Sequence, residues 1–310
     1  MEKNNRIFCV PRMGKYSNLF MRLFKDLGLN IMETPEITQK TIKLGVKYSP
    51  EMICYPFKVT LGSFIECLEA GATDLIMYNN CGRCRYRQYY IMQDLIMKDL
   101  NYKFNMHLLK PRSLLFDLKK LNKKNSYLKV IKAIKKCWMD IKHMEDDYNS
   151  QINPEGVNIG VIGEIYTILE PKINLDLINR LKKKDVKTHT FINVRALIKN
   201  SFGHRRFSRD KDLKSAKKYL DGGELGGHAL ENIKETLYFT KKKIDGIIHV
   251  MPLSCMPEST IEPVLDKICY DTSTPILRLN IDETNSELNM ETRVETFVEL
   301  LKRMKLKTGT

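Results

Sequence analysis

Short apolar runs alternate with helix-length amphipathic patterns along nearly the whole of this 310-residue chain. Alternation of this kind is solved by a parallel sheet with helices on both faces. Arg6–Pro11, Asn30–Glu33, Asp74–Tyr78 and Phe104–Leu109 read as strands. Helical patterns at Ser17–Leu27, Thr38–Leu44, Phe57–Ala70, Arg87–Leu100 and Ser113–His143 lie between or after them. Gly28, Gly45 and Gly71 read as helix ends, and Ser17 as an N-cap. The stretch Glu145–Gln151 is polar and aperiodic, and the alternation then restarts. Strands are predicted at Val157–Ile162, Lys187–Ile192, Gly246–Val250 and Ile276–Ile281. Helices are predicted at Ile173–Lys183, Asp212–Tyr219, Glu231–Lys242, Glu262–Tyr270 and Glu291–Met304. The reading is therefore two α/β domains, 1–148 and 149–310, with no strong sequence repeat between them.

The N-terminal segment has no apolar stretch of signal-peptide length, and no run approaches the ~18 apolar residues of a membrane span. The expectation is a cytoplasmic chain without membrane contact. Eight cysteines in that setting do not read as a disulfide framework. Cys9, Cys67, Cys137 and Cys269 lie in apolar strand or helix patterns and read as core residues. The net charge of +15 comes mostly from lysines such as Lys119, Lys123, Lys132 and Lys136, above the apolar stripe Leu128, Ile131, Ile134, Trp138 and Ile141. That is a solvated helix face, and no nucleic-acid motif accompanies it. Arg205, Arg206 and Arg209 form a denser basic stretch suited to docking an acidic partner.

The remaining cysteines have different surroundings. Cys81 and Cys84 follow a predicted strand, Cys255 follows another, and Cys54 leads into a helix. Ligand sites of parallel sheets lie beyond the carboxyl ends of the strands. A thiolate at a helix start gains from unpaired backbone N–H groups and the helix dipole. One C-x-x-C pair could be a redox couple or half of a zinc site. Scattered single partners for it suit an iron–sulfur cluster in a cleft between domains better than a local zinc knuckle. Zinc, thiol redox chemistry and buried cysteines without metal stay open on chemistry alone.

These residues also carry a resemblance. Pro11–Tyr16, Gly45–Glu51, Cys54–Lys58, Cys81–Arg85, Gly163–Tyr166, Gly226–His228, Ser254–Glu258 and Asp282–Glu283 occur in an order that resembles the 2-hydroxyacyl-CoA dehydratase and benzoyl-CoA reductase superfamily. The nearest likeness is to its stand-alone relatives labelled CoA protein activase. The resemblance implies two flavodoxin-like domains with a metal cluster in the cleft between them, held by Cys54, Cys81, Cys84 and Cys255. It implies a [4Fe-4S] cluster or a double-cubane cluster. It also implies low-potential electrons from a separate ATP-hydrolysing activator of actin-like fold, and an acyl-CoA or other small substrate. Homo- or hetero-oligomers fit the same pattern. Gly222–Gly227 lacks the Lys-Ser/Thr that completes a phosphate loop, so ATP hydrolysis by this chain is not expected. Where relatives show Gly-Pro inside the pair, this chain has Gly82-Arg83, which changes loop stiffness more than ligand identity.

His228, after two glycines, and Glu164, after a strand, are the candidate catalytic groups. Arg85 and Glu258 are the candidate cofactor-contacting groups, Arg85 to neutralise an anionic cluster or substrate phosphate and Glu258 also as a cap of its own helix. His249 reads as a core residue of its strand. The function expected is an iron–sulfur reductase or dehydratase-like component. Its rivals are a non-catalytic electron carrier or scaffold, and a structural zinc protein using the same thiolates.

Overall fold

Two parallel sheets organise the computed structural model, which describes residues 6–79, 84–146, 152–201, 211–220 and 225–308. The chain divides into two units: Met1–Asp147 with Leu197–Phe202, and Tyr148–Ala196 with Gly203–Thr310.

Unit 1 contains β1 (Phe8–Cys9), α1 (Ser17–Asp26), α2 (Gln39–Tyr48), α3 (Tyr55–Glu69) and β2 (Asp74–Tyr78). A short 3₁₀ turn, Arg85–Gln88, leads into α4 (Tyr89–Asp99), followed by β3 (Asn105–Leu109), α5 (Leu114–Leu121) and α6 (Tyr127–Asp146). The sheet order is β1-β2-β3, all parallel. The strand expected at Asn30–Glu33 contracts to one bridge, Ile31 to Phe8, held by Phe8 N–H to Asn30 O and Met32 N–H to Phe8 O. Counting that bridge, unit 1 has the spatial order 2-1-3-4.

Unit 2 contains β4 (Val157–Gly163), α7 (Ile165–Leu169), α8 (Leu177–Lys183), β5 (Val186–His189), α9 (Val194–Ser201) and α10 (Lys211–Lys218). It continues with α11 (Ala229–Lys241), β6 (Gly246–Pro252), α12 (Met256–Asp271), β7 (Ile276–Ile281) and α13 (Glu287–Thr308). Its sheet runs β5-β4-β6-β7, again parallel and again 2-1-3-4. This is the flavodoxin-like order less its last strand, and it places a topological switch point beside the first strand of each unit.

Several local expectations yield to tertiary contacts. Gly45 does not end a helix: α2 runs past it, because a Cβ there would meet the Lys58 carbonyl oxygen at 1.8 Å. The glycine lets α2 lie directly on α3. The long basic helix expected over Ser113–His143 is broken between α5 and α6. Asn122 and Asn125 in the gap both donate to the Leu27 carbonyl at the end of α1, a bond an unbroken helix would forgo. The helix expected over Ile173–Lys183 starts at Leu177, and α7 and α9 are additional. Ser17 is the first residue of α1 rather than its cap, and its hydroxyl accepts from Met13 N–H.

The core of unit 1 forms around α3, every residue of which from Tyr55 to Cys67 is buried. Cys9 and Cys67, expected as separate core thiols, are disulfide-bonded, with α3 held against β1 at a Cα–Cα distance of 6.5 Å. Cys137 and Cys269 do lie in helix interiors, their thiols pushed up to about 11 by burial. Among the described residues no helix is long and apolar enough to cross a membrane.

Candidate functional site

The described cysteines of the constellation share one local geometry. Cys54 is the N-cap of α3, with φ −66° and ψ 146°, and Cys255 the N-cap of α12, with φ −78° and ψ 103°. Cys84 holds the same place before the 3₁₀ turn, with φ −76° and ψ 148°. Extended backbone at the cap aims the first-turn N–H groups toward the cap residue. Cys54 and Cys255 are each followed two residues later by proline, Pro56 and Pro257. Proline in the first turn gives up no hydrogen bond and blocks backward extension of the helix, which keeps the cysteine at the cap.

In unit 1, Arg85 donates from Nη1 to the Met52 carbonyl at 3.0 Å, tying the Cys84 turn to the Cys54 loop. The Arg85 guanidinium thus holds a loop rather than a surface carboxylate in this contact. The Tyr89 hydroxyl lies 2.6 Å from Cys54 Sγ. Lys58, one helical turn after Cys54, is buried in its helix. Cys81 lies outside the described residues, as do Arg205, Arg206 and Arg209.

In unit 2 the switch point lies between the carboxyl ends of β4 and β6. Gly163 ends β4 at φ +140°, where a Cβ would meet the Val250 carbonyl oxygen of β6 at 1.8 Å, so only glycine fits. Asn232 of α11 reads both backbone groups of Gly163: its Oδ1 accepts from Gly163 N–H at 3.1 Å and its Nδ2 donates to Gly163 O at 3.2 Å. The same Nδ2 donates to Glu258 Oε2 at 2.7 Å, and His249 Nε2 lies 2.8 Å from that oxygen. Glu258 and His249 are fully enclosed, and His249 Nδ1 has no hydrogen-bond partner among the described residues. Glu258 therefore joins β6, α11 and α12, and His249 is more than apolar filling.

Glu164 caps α7, accepting from Tyr166 N–H at 3.0 Å, Thr167 N–H at 2.8 Å and the Thr167 hydroxyl at 2.7 Å. Burial raises its carboxyl above the ordinary value, the cap bonds oppose this, and the nearby Glu258 adds to the rise. Glu235 of α11, buried on the same side, is raised well above the ordinary value by burial and then by Glu231. His228 precedes α11 and is buried, and Gly227 before it approaches the Pro257 ring closely enough to put a Cβ at 3.1 Å. Gly227 thus lets the chain just before His228 lie against Pro257, two residues after Cys255. Among the described residues, no three His, Cys, Asp or Glu side chains converge as a metal-binding set.

Tyr89, Lys58, Asn232 and Glu235 escape the sequence reading. Lys58 had a signal, the one basic residue of a largely apolar helix. Asn232 and Glu235 had a weaker one, polar residues three apart on a helix face that turns out buried. Tyr89 had none.

Residues 10–194, more than half of the chain, match the family model described as the CoA enzyme activase uncharacterised domain. Residues 228–301, which carry His228, Asn232, His249, Cys255 and Glu258, match that of the 2-hydroxyglutaryl-CoA dehydratase D-component. No curated protein matches the chain.

Proposed function

The chain belongs to the CoA enzyme activase family of the 2-hydroxyacyl-CoA dehydratase superfamily, and from that membership we propose that it is the iron–sulfur component of a low-potential reductase or dehydratase system. In this reading Cys54, Cys81, Cys84 and Cys255 are the thiolate ligands of a [4Fe-4S] or double-cubane cluster. When bound, such a cluster supplies one-electron transfer at low potential. A separate ATP-dependent activator is the proposed electron source, and an acyl-CoA the proposed substrate class.

The observation that supports the reading most is the common cap geometry of Cys54, Cys84 and Cys255. Soft sulfur donors beside helix N-termini fit an anionic cluster, because the helix dipole and open N–H groups favour negative charge there. The residues around each cap divide the remaining work. Arg85 and Tyr89 place positive charge and a hydroxyl near the Cys54 and Cys84 loops. Glu164 and Glu235, held in the acid form further toward neutral pH by burial, can release or take a proton in unit 2. His228 is the proposed second proton carrier.

The test is strictly anaerobic purification followed by iron and acid-labile sulfide counts and paramagnetic resonance. Cys54→Ala, Cys84→Ala and Cys255→Ala should lose iron, whereas Cys137→Ala and Cys269→Ala should keep it. Zinc in place of iron would make the thiolates a structural site. Iron that accepts electrons without turnover of any acyl-CoA would make the chain an electron carrier.

A further inference from the structure

The seam between α3 and α4 is built around the sulfur of Cys54. Tyr89 opens α4 with its ring buried, and its hydroxyl is 2.6 Å from Cys54 Sγ. The Phe57 ring meets the Tyr89 ring edge-on at 5.0 Å, and Tyr86 packs against it at the same centroid distance. One turn along, Gln93 Nε2 donates to Thr60 Oγ1 of α3 at 2.8 Å, so the two helices are registered twice. The phenol is thus fixed by packing on both sides and is not free to turn away. A sulfur that binds metal carries no proton, which leaves the phenol as the only possible donor of this pair.

We propose that Tyr89 is a positioning residue that donates a hydrogen bond to the Cys54 ligand sulfur and sets how readily the bound cluster accepts an electron. The inference rests on the proposed role of Cys54 as a ligand. Reduction adds negative charge that is shared with the ligand sulfurs, so a donor to sulfur favours the reduced form. The bond lies in a water-excluded interior, where such a contact is strengthened. Removing it makes reduction harder.

The experiment measures the midpoint potential of the anaerobically purified full chain by a titration followed with paramagnetic resonance. Tyr89→Phe is expected to keep wild-type iron and sulfide and to shift the potential to more negative values, ~59 mV for each tenfold loss in the one-electron equilibrium. A difluorotyrosine at position 89, a stronger donor of nearly the same shape, is expected to shift it the other way. Gln93→Met, which loosens the same seam without touching the sulfur, is expected to leave it in place. An unchanged potential in a fully loaded Tyr89→Phe variant overturns the assignment, and so does an equal shift from Gln93→Met. If Tyr89→Phe fails to hold its cluster, the difluorotyrosine chain decides, and an unchanged or more negative potential there overturns the assignment. A wild-type chain without iron overturns the proposed function itself, which separates that failure from failure of the Tyr89 role alone.

Discussion

Asn232→Leu tests the unit 2 site at its most connected residue. Leucine keeps the branched shape but removes the acceptor of Gly163 N–H and the donor to both Gly163 O and Glu258 Oε2. Asn232, Gly163 and Glu258 are buried, so water does not take over. A buried polar group left without its partner costs ~1–3 kcal/mol; Glu258 Oε2 keeps His249, so two such groups, Gly163 N–H and Gly163 O, cost roughly 2 kcal/mol even at the low end. At ~2–4 °C per kcal/mol for a unit of this size, the melting transition that reports unit 2 should fall by about 4–8 °C. Calorimetry reads that fall, and amide exchange at Gly163 should quicken with it. Glu258→Gln keeps an oxygen that can accept from Asn232, so it should cost under ~1 kcal/mol, whereas Glu258→Leu should cost at least twice that. A melting point within ~2 °C of wild type for Asn232→Leu, less than 1 kcal/mol by the same conversion, together with unaltered Gly163 exchange, would refute the reasoning.

Two further outcomes follow from unit 1. Burial pushes the Asp74 carboxyl up, but hydrogen bonds from His107, Arg6 and Thr73 outweigh it and hold the group well below the usual carboxylate range. Its contribution is therefore full above the unfolded carboxylate value of ~3.9 and is lost as pH falls through the lower folded value. Urea midpoints measured from pH 6 downward should drop in wild type and stay flatter in Asp74→Asn, and parallel curves would contradict this. Gly45→Ala gains ~1 kcal/mol of helix propensity but forces a methyl to 1.8 Å from the Lys58 carbonyl oxygen. Overpacking of ~1–3 kcal/mol or more should win, so the denaturation midpoint should fall, and a rise would show that α2 can move off α3.

The strands were legible where the apolar run was bounded by turn residues. Asp74–Tyr78 and Ile276–Ile281 match the sequence reading to the residue. The errors arise where a residue with a local meaning serves a distant contact instead. Gly45 looks like a cap and is an interhelical contact. Asn122 and Asn125 sit in a run that reads as helix and instead close the end of α1. Ile31 has strand neighbours but pairs at a single residue. The Cys9–Cys67 bond joins a strand and a helix that only the fold brings together. In the candidate site, the place of Cys54 and Cys255 at helix starts was legible because a helical pattern follows each of them directly, which is a local feature. Tyr89 was not, since its meaning comes from the helix it faces. Asn232 was not, because its partners are the backbone of a strand far away in sequence.

The two units use one fold order for different chemistry. Each has the order 2-1-3-4, and each carries a cysteine cap on a helix whose first turn holds a proline. The cap supplies the same partial positive charge in both cases. What surrounds it differs in sign. Around Cys54 the chain buries a lysine and points a phenol at the sulfur, an environment that favours added electrons. Around Cys255 it buries carboxyls and imidazoles, two of the carboxyls raised toward neutrality, an environment that exchanges protons. A low-potential reduction that must place both an electron and a proton on an acyl substrate needs both environments.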